Sequence, residues 1–121
     1  MDLSTLVHAA EAVAATSSRL TKIDVLAGLL RSADADEVPA LVGLLLAAPR
    51  QGRVGVGWRG IASLDVSHAE QSSLTIADVD HALTDLASAA GAGSSGVRAE
   101  VLHALAARST PAEWDFVTRS M

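Results

Sequence analysis

Apolar residues recur three and four positions apart through almost the whole chain, and that spacing fits helices rather than strands. Leu3, Leu6, Val7, Ala10 and Val13 form one such stripe, and Leu20, Ile23, Leu26, Leu29 and Leu30 form a second. Val38, Leu41, Val42, Leu45 and Leu46 form a third. Further along come Ile76, Val79, Leu83 and Leu86, then Val97, Val101, Leu102 and Leu105, then Trp114 and Val117. Each set predicts a helix with those residues inward. The only aromatic residues apart from histidine are Trp58, Trp114 and Phe116. Alanine and leucine dominate, which favours helix over sheet. The expectation is an all-α fold: a compact multi-helix domain of about six to seven helices.

Local signals place the breaks. Asp2 or Ser4 caps a first helix running to about Ala15, and Thr16-Ser17-Ser18 interrupts it. Asp34 or Asp36 opens the third helix, in which Pro39 is tolerated at the first turn, and Pro49 stops it. Asp65 to Ser73 reads as a loop. Thr75 or Asp78 caps the next helix, Gly91 to Gly96 reads as a flexible turn, and Pro111-Ala112-Glu113 starts the last helix.

With 121 residues, the chain is one domain with a real core. It has no cysteine, which excludes disulfides and thiolate metal sites. The apolar run Val38 to Ala48 is too short to span a bilayer, and Asp2 and Glu11 flank Leu3 to Ala10 where a signal peptide would carry a basic head. A soluble, cytoplasmic protein with no membrane partner is expected.

Chemistry that needs paired acids, bases or nucleophiles is not visible. Histidines 8, 68, 81 and 103 are scattered. His8 with Glu11, and Asp78 with His81, read as solvated helix faces rather than metal ligands, and His103 reads as a partly buried helix residue. The sequence contains neither a phosphate-binding Gly-x-x-x-x-Gly-Lys-Ser/Thr loop nor a Gly-x-Ser-x-Gly elbow. No catalytic and no metal-binding residue is assigned.

The segment Arg50 to Gly60 is the most informative. It places four glycines in nine residues beside Arg50, Arg53 and Arg59, in a window free of acid from Val38 to Leu64. Glycines expose backbone N–H groups that can bond phosphate oxygens, and arginines fork onto the same oxygens. Ser17-Ser18-Arg19-Leu20-Thr21-Lys22 offers hydroxyls and cations at another helix start, and Gly93-Ser94-Ser95-Gly96-Val97-Arg98 repeats the theme. Such sites suit a sugar–phosphate track. The bland alternative is that glycines turn chains, serines cap helices and arginines keep proteins soluble. A net charge of −5 counts against nucleic acid unless the cations are gathered on one face.

The chain also echoes itself. Ser18 and Ser94 stand 76 positions apart, and the same offset pairs Lys22 with Arg98, Val25, Leu26 and Leu29 with Val101, Leu102 and Leu105, and Glu37 with Glu113. Either the domain is an approximate internal two-fold repeat, with a first half over 1–64 and a second over 74–121, or two Leu/Val helices simply align. A true repeat would mean that the chain stops inside its second copy.

Thr16-Ser17-Ser18-Arg19-Leu20-Thr21-Lys22-Ile23 followed by Leu26 and Leu29-Leu30 resembles the opening of the amino-terminal DNA-binding domain of ATP-dependent DNA ligases. So do Gly52-Arg53-Val54-Gly55-Val56-Gly57-Trp58, Gly93-Ser94-Ser95 before a helix, and Glu113-x-x-Phe116-x-x-Arg119. The order and spacing of these segments, from about Val7 to Met121 and so over nearly all of residues 1–121, are closest to the actinobacterial branch. The resemblance implies an all-helical module of two-fold character that grips the minor groove of nicked duplex DNA, in company with the adenylation domain of the same parent chain. It implies DNA contacts at Ser17, Arg19, Thr21, Lys22, Arg53, Gly55, Gly57, Ser94, Ser95 and Arg98. It further implies a parent that uses ATP and magnesium to seal nicks in replication, repair or recombination, with no cofactor in this part. The family's Lys-x-Asp-Gly lysine is not Lys22, where Val25 stands for the glycine. Its Gly-x-Leu-Arg-x-Gly segment would follow Met121, so the domain is expected to be incomplete at its C-terminal end and unable to seal a nick. The alternative is a stand-alone helical protein-interaction module.

Overall fold

The structure is a computed structural model and describes residues 1–89 and 93–121; Gly91 and Ala92 of the expected turn, and the side chain of Trp58, lie outside what is described. Among the described residues the chain forms seven α-helices and one 3-10 turn, with no strand. The helices are α1 (Leu3–Ala14), α2 (Arg19–Ser32), α3 (Val38–Leu45), α4 (Trp58–Ala62), α5 (Ile76–Ser88), α6 (Ser94–Arg108) and α7 (Pro111–Ser120), and the 3-10 turn Ala35–Glu37 leads into α3. The all-α expectation holds. No described helix is long and apolar enough to cross a membrane.

Side-chain caps fix where α2, α5 and α7 begin. Ser18 Oγ accepts from the Thr21 N–H at the start of α2. At α5, Thr75 Oγ1 accepts from the Asp78 N–H while Asp78 Oδ2 accepts from the Thr75 N–H. Thr110 and Glu113 make the same reciprocal pair at α7. Each reciprocal pair satisfies two backbone donors at the helix start, and Ser18 satisfies one. Glu113 is buried, and its second carboxylate oxygen accepts from the Ser72 hydroxyl at 2.7 Å.

Core residues from both halves of the chain form one cluster: Leu3, Leu6 and Val7 of α1, Leu41 and Leu44 of α3, Ile76, Val79, Leu83 and Leu86 of α5, Leu102 and Leu105 of α6, and Val117 of α7. α3 sits at the centre, touching α1, α5 and α7, while α2 packs chiefly on α1 and α6 on α5. The chain start is stitched to the start of α5. The Leu3 N–H donates to Leu74 O and the Ile76 N–H to Met1 O, both at 2.9 Å. The Met1 amine also meets Glu37 Oε2 at 2.9 Å. The polar loop before α5 is anchored on the end of α6: Ala69 N–H donates to Ser109 O, and His68 Nδ1 lies 2.8 Å from Ala106 O. A carbonyl only accepts, so that contact puts the histidine proton on Nδ1.

Several sequence expectations are corrected. Of the α2 stripe only Leu29 is buried; Leu20, Ile23 and Leu30 are exposed, because no described element covers that side of α2. In α3 the inward residues are Ala40, Leu41 and Leu44, and Leu46 is exposed, because the helix ends at Leu45 before Pro49 is reached. Gly43 permits the reversal that follows: a Cβ there would stand 2.9 Å from Ala48 O and 3.0 Å from the Arg50 nitrogen. In α6, Val97 is exposed, and so is His103. α6 already begins at Ser94, so Ser94, Ser95 and Gly96 are its first turn rather than a flexible loop. The two halves therefore differ at the echoed position: Ser18 caps α2 from outside, whereas Ser94 lies inside α6.

Candidate nucleic-acid interface

The glycine–arginine segment is built outward from two anchors. At its start, Arg50 forks onto Asp80 of α5, with Nε 2.8 Å from Oδ1 and NH2 2.6 Å from Oδ2. Gln51 Nε2 donates to the same Oδ1 at 2.7 Å. Partial burial opposes ionisation of Asp80, but these bonds outweigh it and hold its carboxyl below the usual carboxylate range. Gly52, at φ +74°, donates its N–H back to Pro49 O, a turn that a side chain would strain. The second anchor is Val54, buried in the core, and directly after it Gly55 takes φ +71°.

Beyond Val54 the backbone runs along the start of α6. Between them lies a groove of about 290 Å³, lined by Gly55, Gly57, Ser63, Ser94, Ser95 and Arg98 among others. Five of the ten residues expected to contact DNA thus meet on one concave surface: Gly55, Gly57, Ser94, Ser95 and Arg98. The N-cap of α6 is Gly93, in the left-handed conformation at φ +84°, so no capping side chain takes up the first amides of this helix. Helix starts of this kind favour anions. Arg53 is exposed in the segment itself. The remaining four, Ser17, Arg19, Thr21 and Lys22, lie at the start of α2 and line none of the groove. Ser17, Arg19 and Thr21 are exposed there and Lys22 is half-covered.

The cations divide by partner. Among the described residues, Arg50 pairs with Asp80, Arg108 with Asp78 and Arg119 with Asp115. Arg19, Lys22, Arg31, Arg53, Arg59 and Arg98 have no acid partner. The positive charge without an acid partner therefore belongs to α2, the glycine segment beyond Arg50 and the start of α6, and it coexists with an acidic net charge.

Sequence reasoning grouped Arg50 with Arg53 and Arg59, yet its charge is already matched within the fold. The signal was present in Asp80 and Thr84, one helical turn apart on α5, but nothing local ties them to Arg50. Sequence reasoning also missed a larger concavity of about 470 Å³, where Val7, Ala10, Leu44, Leu45 and Phe116 give apolar walls and Arg119 stands at the rim. No group of three or more acidic or histidine side chains suited to a metal occurs among the described residues.

The family described as DNA ligase N terminus matches residues 61–121. Over 117 residues, 97% of the chain, the sequence is 50% identical to a protein of Pseudarthrobacter chlorophenolicus named "Probable DNA ligase". Proteins of the same name from Streptomyces avermitilis and Saccharopolyspora erythraea are 42% and 43% identical over 117 residues. The chain spans about 23% of the length of these relatives. No solved structure matches it.

Proposed function

The chain belongs to the DNA ligase family through its amino-terminal region, and from that premise we propose that it holds nicked duplex DNA, without reading its sequence, for a catalytic region elsewhere in the parent ligase. The observation that carries this reading is the partition of the cations: those of α2, and Arg53 and Arg59 of the glycine segment, have no acid partner among the described residues, and the glycine segment runs beside the hydroxyls and uncapped amides at the start of α6. Ser17, Arg19, Thr21 and Lys22 form one contact region, and Arg53, Gly55, Gly57, Ser94 and Ser95, with Arg98 beside them, form the other. Backbone amides, hydroxyls and arginines bond phosphate and sugar in any sequence. The work of such a domain is in the cytoplasm, in replication, repair or recombination, beside the adenylation domain of its parent.

ATP and magnesium do not fit the residues described. Lys22 lies along α2 and lines neither the groove nor the larger concavity, and no acidic cluster of metal-binding size is present among the described residues. We assign both to the remainder of the parent ligase.

The test is a titration of nicked duplex at several salt concentrations. Log affinity should fall linearly with log salt, by about 0.9 for each phosphate neutralised, with no dependence on base sequence. An affinity indifferent to salt overturns the reading. One feature favours a second reading, a protein-interaction module: Leu20, Ile23 and Leu30 are exposed along one side of α2. Binding to a protein partner with no DNA retained at low salt would establish it instead.

A further inference from the structure

Resting on the proposed DNA-binding role, we infer that Arg98 is a positioning residue, a clamp that fixes the Gly55–Gly57 wall of the groove, rather than a phosphate ligand. Its NH1 donates to Leu86 O at 2.9 Å and to Ala89 O at 3.4 Å, and its NH2 donates to Val54 O at 2.7 Å. α5 ends at Ser88, so the first two acceptors are carbonyls that its hydrogen-bond ladder leaves open. A cation at that end of a helix is favourable in its own right. The third acceptor lies 44 residues back along the chain, on the residue just before Gly55.

The fit leaves no room for a side chain on the other partner. A Cβ at Gly55 would stand 2.7 Å from Arg98 NH2, and Gly55 already sits at φ +71°. The left-handed backbone requires glycine there, and a Cβ would also push the guanidinium from its bonds. Three of the five guanidinium hydrogens are engaged by neutral carbonyls held by their own elements. A phosphate would have to compete for those hydrogens. The clamp keeps the glycine segment in one conformation before DNA arrives, which lowers the ordering cost of binding.

The test uses the 121-residue chain and three variants, Arg98→Ala, Arg98→Lys and Gly55→Ala. Amide hydrogen exchange of residues 52–60 is read without DNA. It should rise at least about tenfold in each variant while exchange in α1 and α7 stays unchanged. Binding to nicked duplex should weaken about tenfold in Arg98→Lys as in Arg98→Ala, since lysine keeps the charge but cannot span both sets of carbonyls. If Arg98→Ala loses its helical signal, Arg98→Lys and Gly55→Ala carry the same readings. Unchanged exchange in residues 52–60 overturns the clamp, whatever happens to DNA binding. Full affinity in Arg98→Lys, with a salt slope about one unit lower in Arg98→Ala, makes Arg98 a phosphate ligand instead. Faster exchange in a protein whose wild type binds no DNA leaves the clamp standing and removes the DNA-binding reading.

Discussion

Arg50 and Asp80, thirty residues apart in sequence, meet in a two-pronged ion pair that joins the start of the glycine segment to the second turn of α5. The Asp80 carboxyl is held below its ordinary value of 3.8: burial raises it, and the bonds from Arg50 and Gln51 more than reverse that. A group depressed in the folded state contributes stability that is present above its unfolded pKa and is lost as pH falls through the folded one. Unfolding by urea between pH 7 and pH 2 should therefore show stability flat at the upper end and declining below about 3.8. Asp80→Asn should be less stable at pH 7 and show a shallower decline on acidification. An identical slope for both proteins would remove the pair from the acid response.

Glu113 combines a helix cap with a buried hydrogen bond to Ser72. Glu113→Ala should destabilise the protein by about 2–3 kcal/mol, the sum of a lost cap and an unsatisfied buried group. Glu113→Gln keeps the shape and should be milder. Chemical denaturation of the two variants checks the order.

Gly43 faces backbone atoms rather than a yielding side chain, at 2.9 Å from Ala48 O. Gly43→Ala should cost about 1–3 kcal/mol by overpacking. Because the displaced segment leads to Arg50, the variant should also lose part of the acid response described for Asp80. Both are read from the same urea titrations.

The two sides of α2 should respond differently. Leu29→Ala should cost about 2–5 kcal/mol, whereas Leu20→Gln and Ile23→Gln, on the exposed side, should change stability by no more than about 0.5 kcal/mol. Thermal unfolding of the three variants separates the faces. A large loss at Leu20 would mean that the side is covered in solution, by a second copy or by another segment.

On the DNA-binding reading, Arg53→Ala and Arg59→Ala should each lower the slope of log affinity against log salt by about 0.9. Arg119→Ala, whose charge Asp115 already meets at 3.0 Å, should leave the slope unchanged. Fluorescence titrations at several salt concentrations distinguish the two classes.

What could be read from the sequence was what is decided within a few residues. α5 was legible whole, cap and inward face together, because Thr75, Asp78 and the Ile76, Val79, Leu83, Leu86 spacing all act locally. The Pro111 start of α7 was legible for the same reason. The inward face of α2 was not, because an apolar stripe states what a helix could bury and not whether a neighbour arrives to cover it. At the candidate site, the glycines and serines announced a phosphate-compatible surface. The partners of Arg50 and Arg98 could not be announced, since their acceptors lie 30 and 44 residues away and become neighbours only through the packing of α3, α5 and α6.

The backbone stitch between Met1–Leu3 and Leu74–Ile76 sets an order of events during synthesis. α1 and α2 can form as they leave the ribosome, yet the seam that receives the first residues is not made until Ile76 has emerged. Closing so long a loop is slow relative to helix growth. Until Ile76 arrives, α1 has α2 to pack on but not the seam that fixes its first residues, so the core cannot close around Leu3.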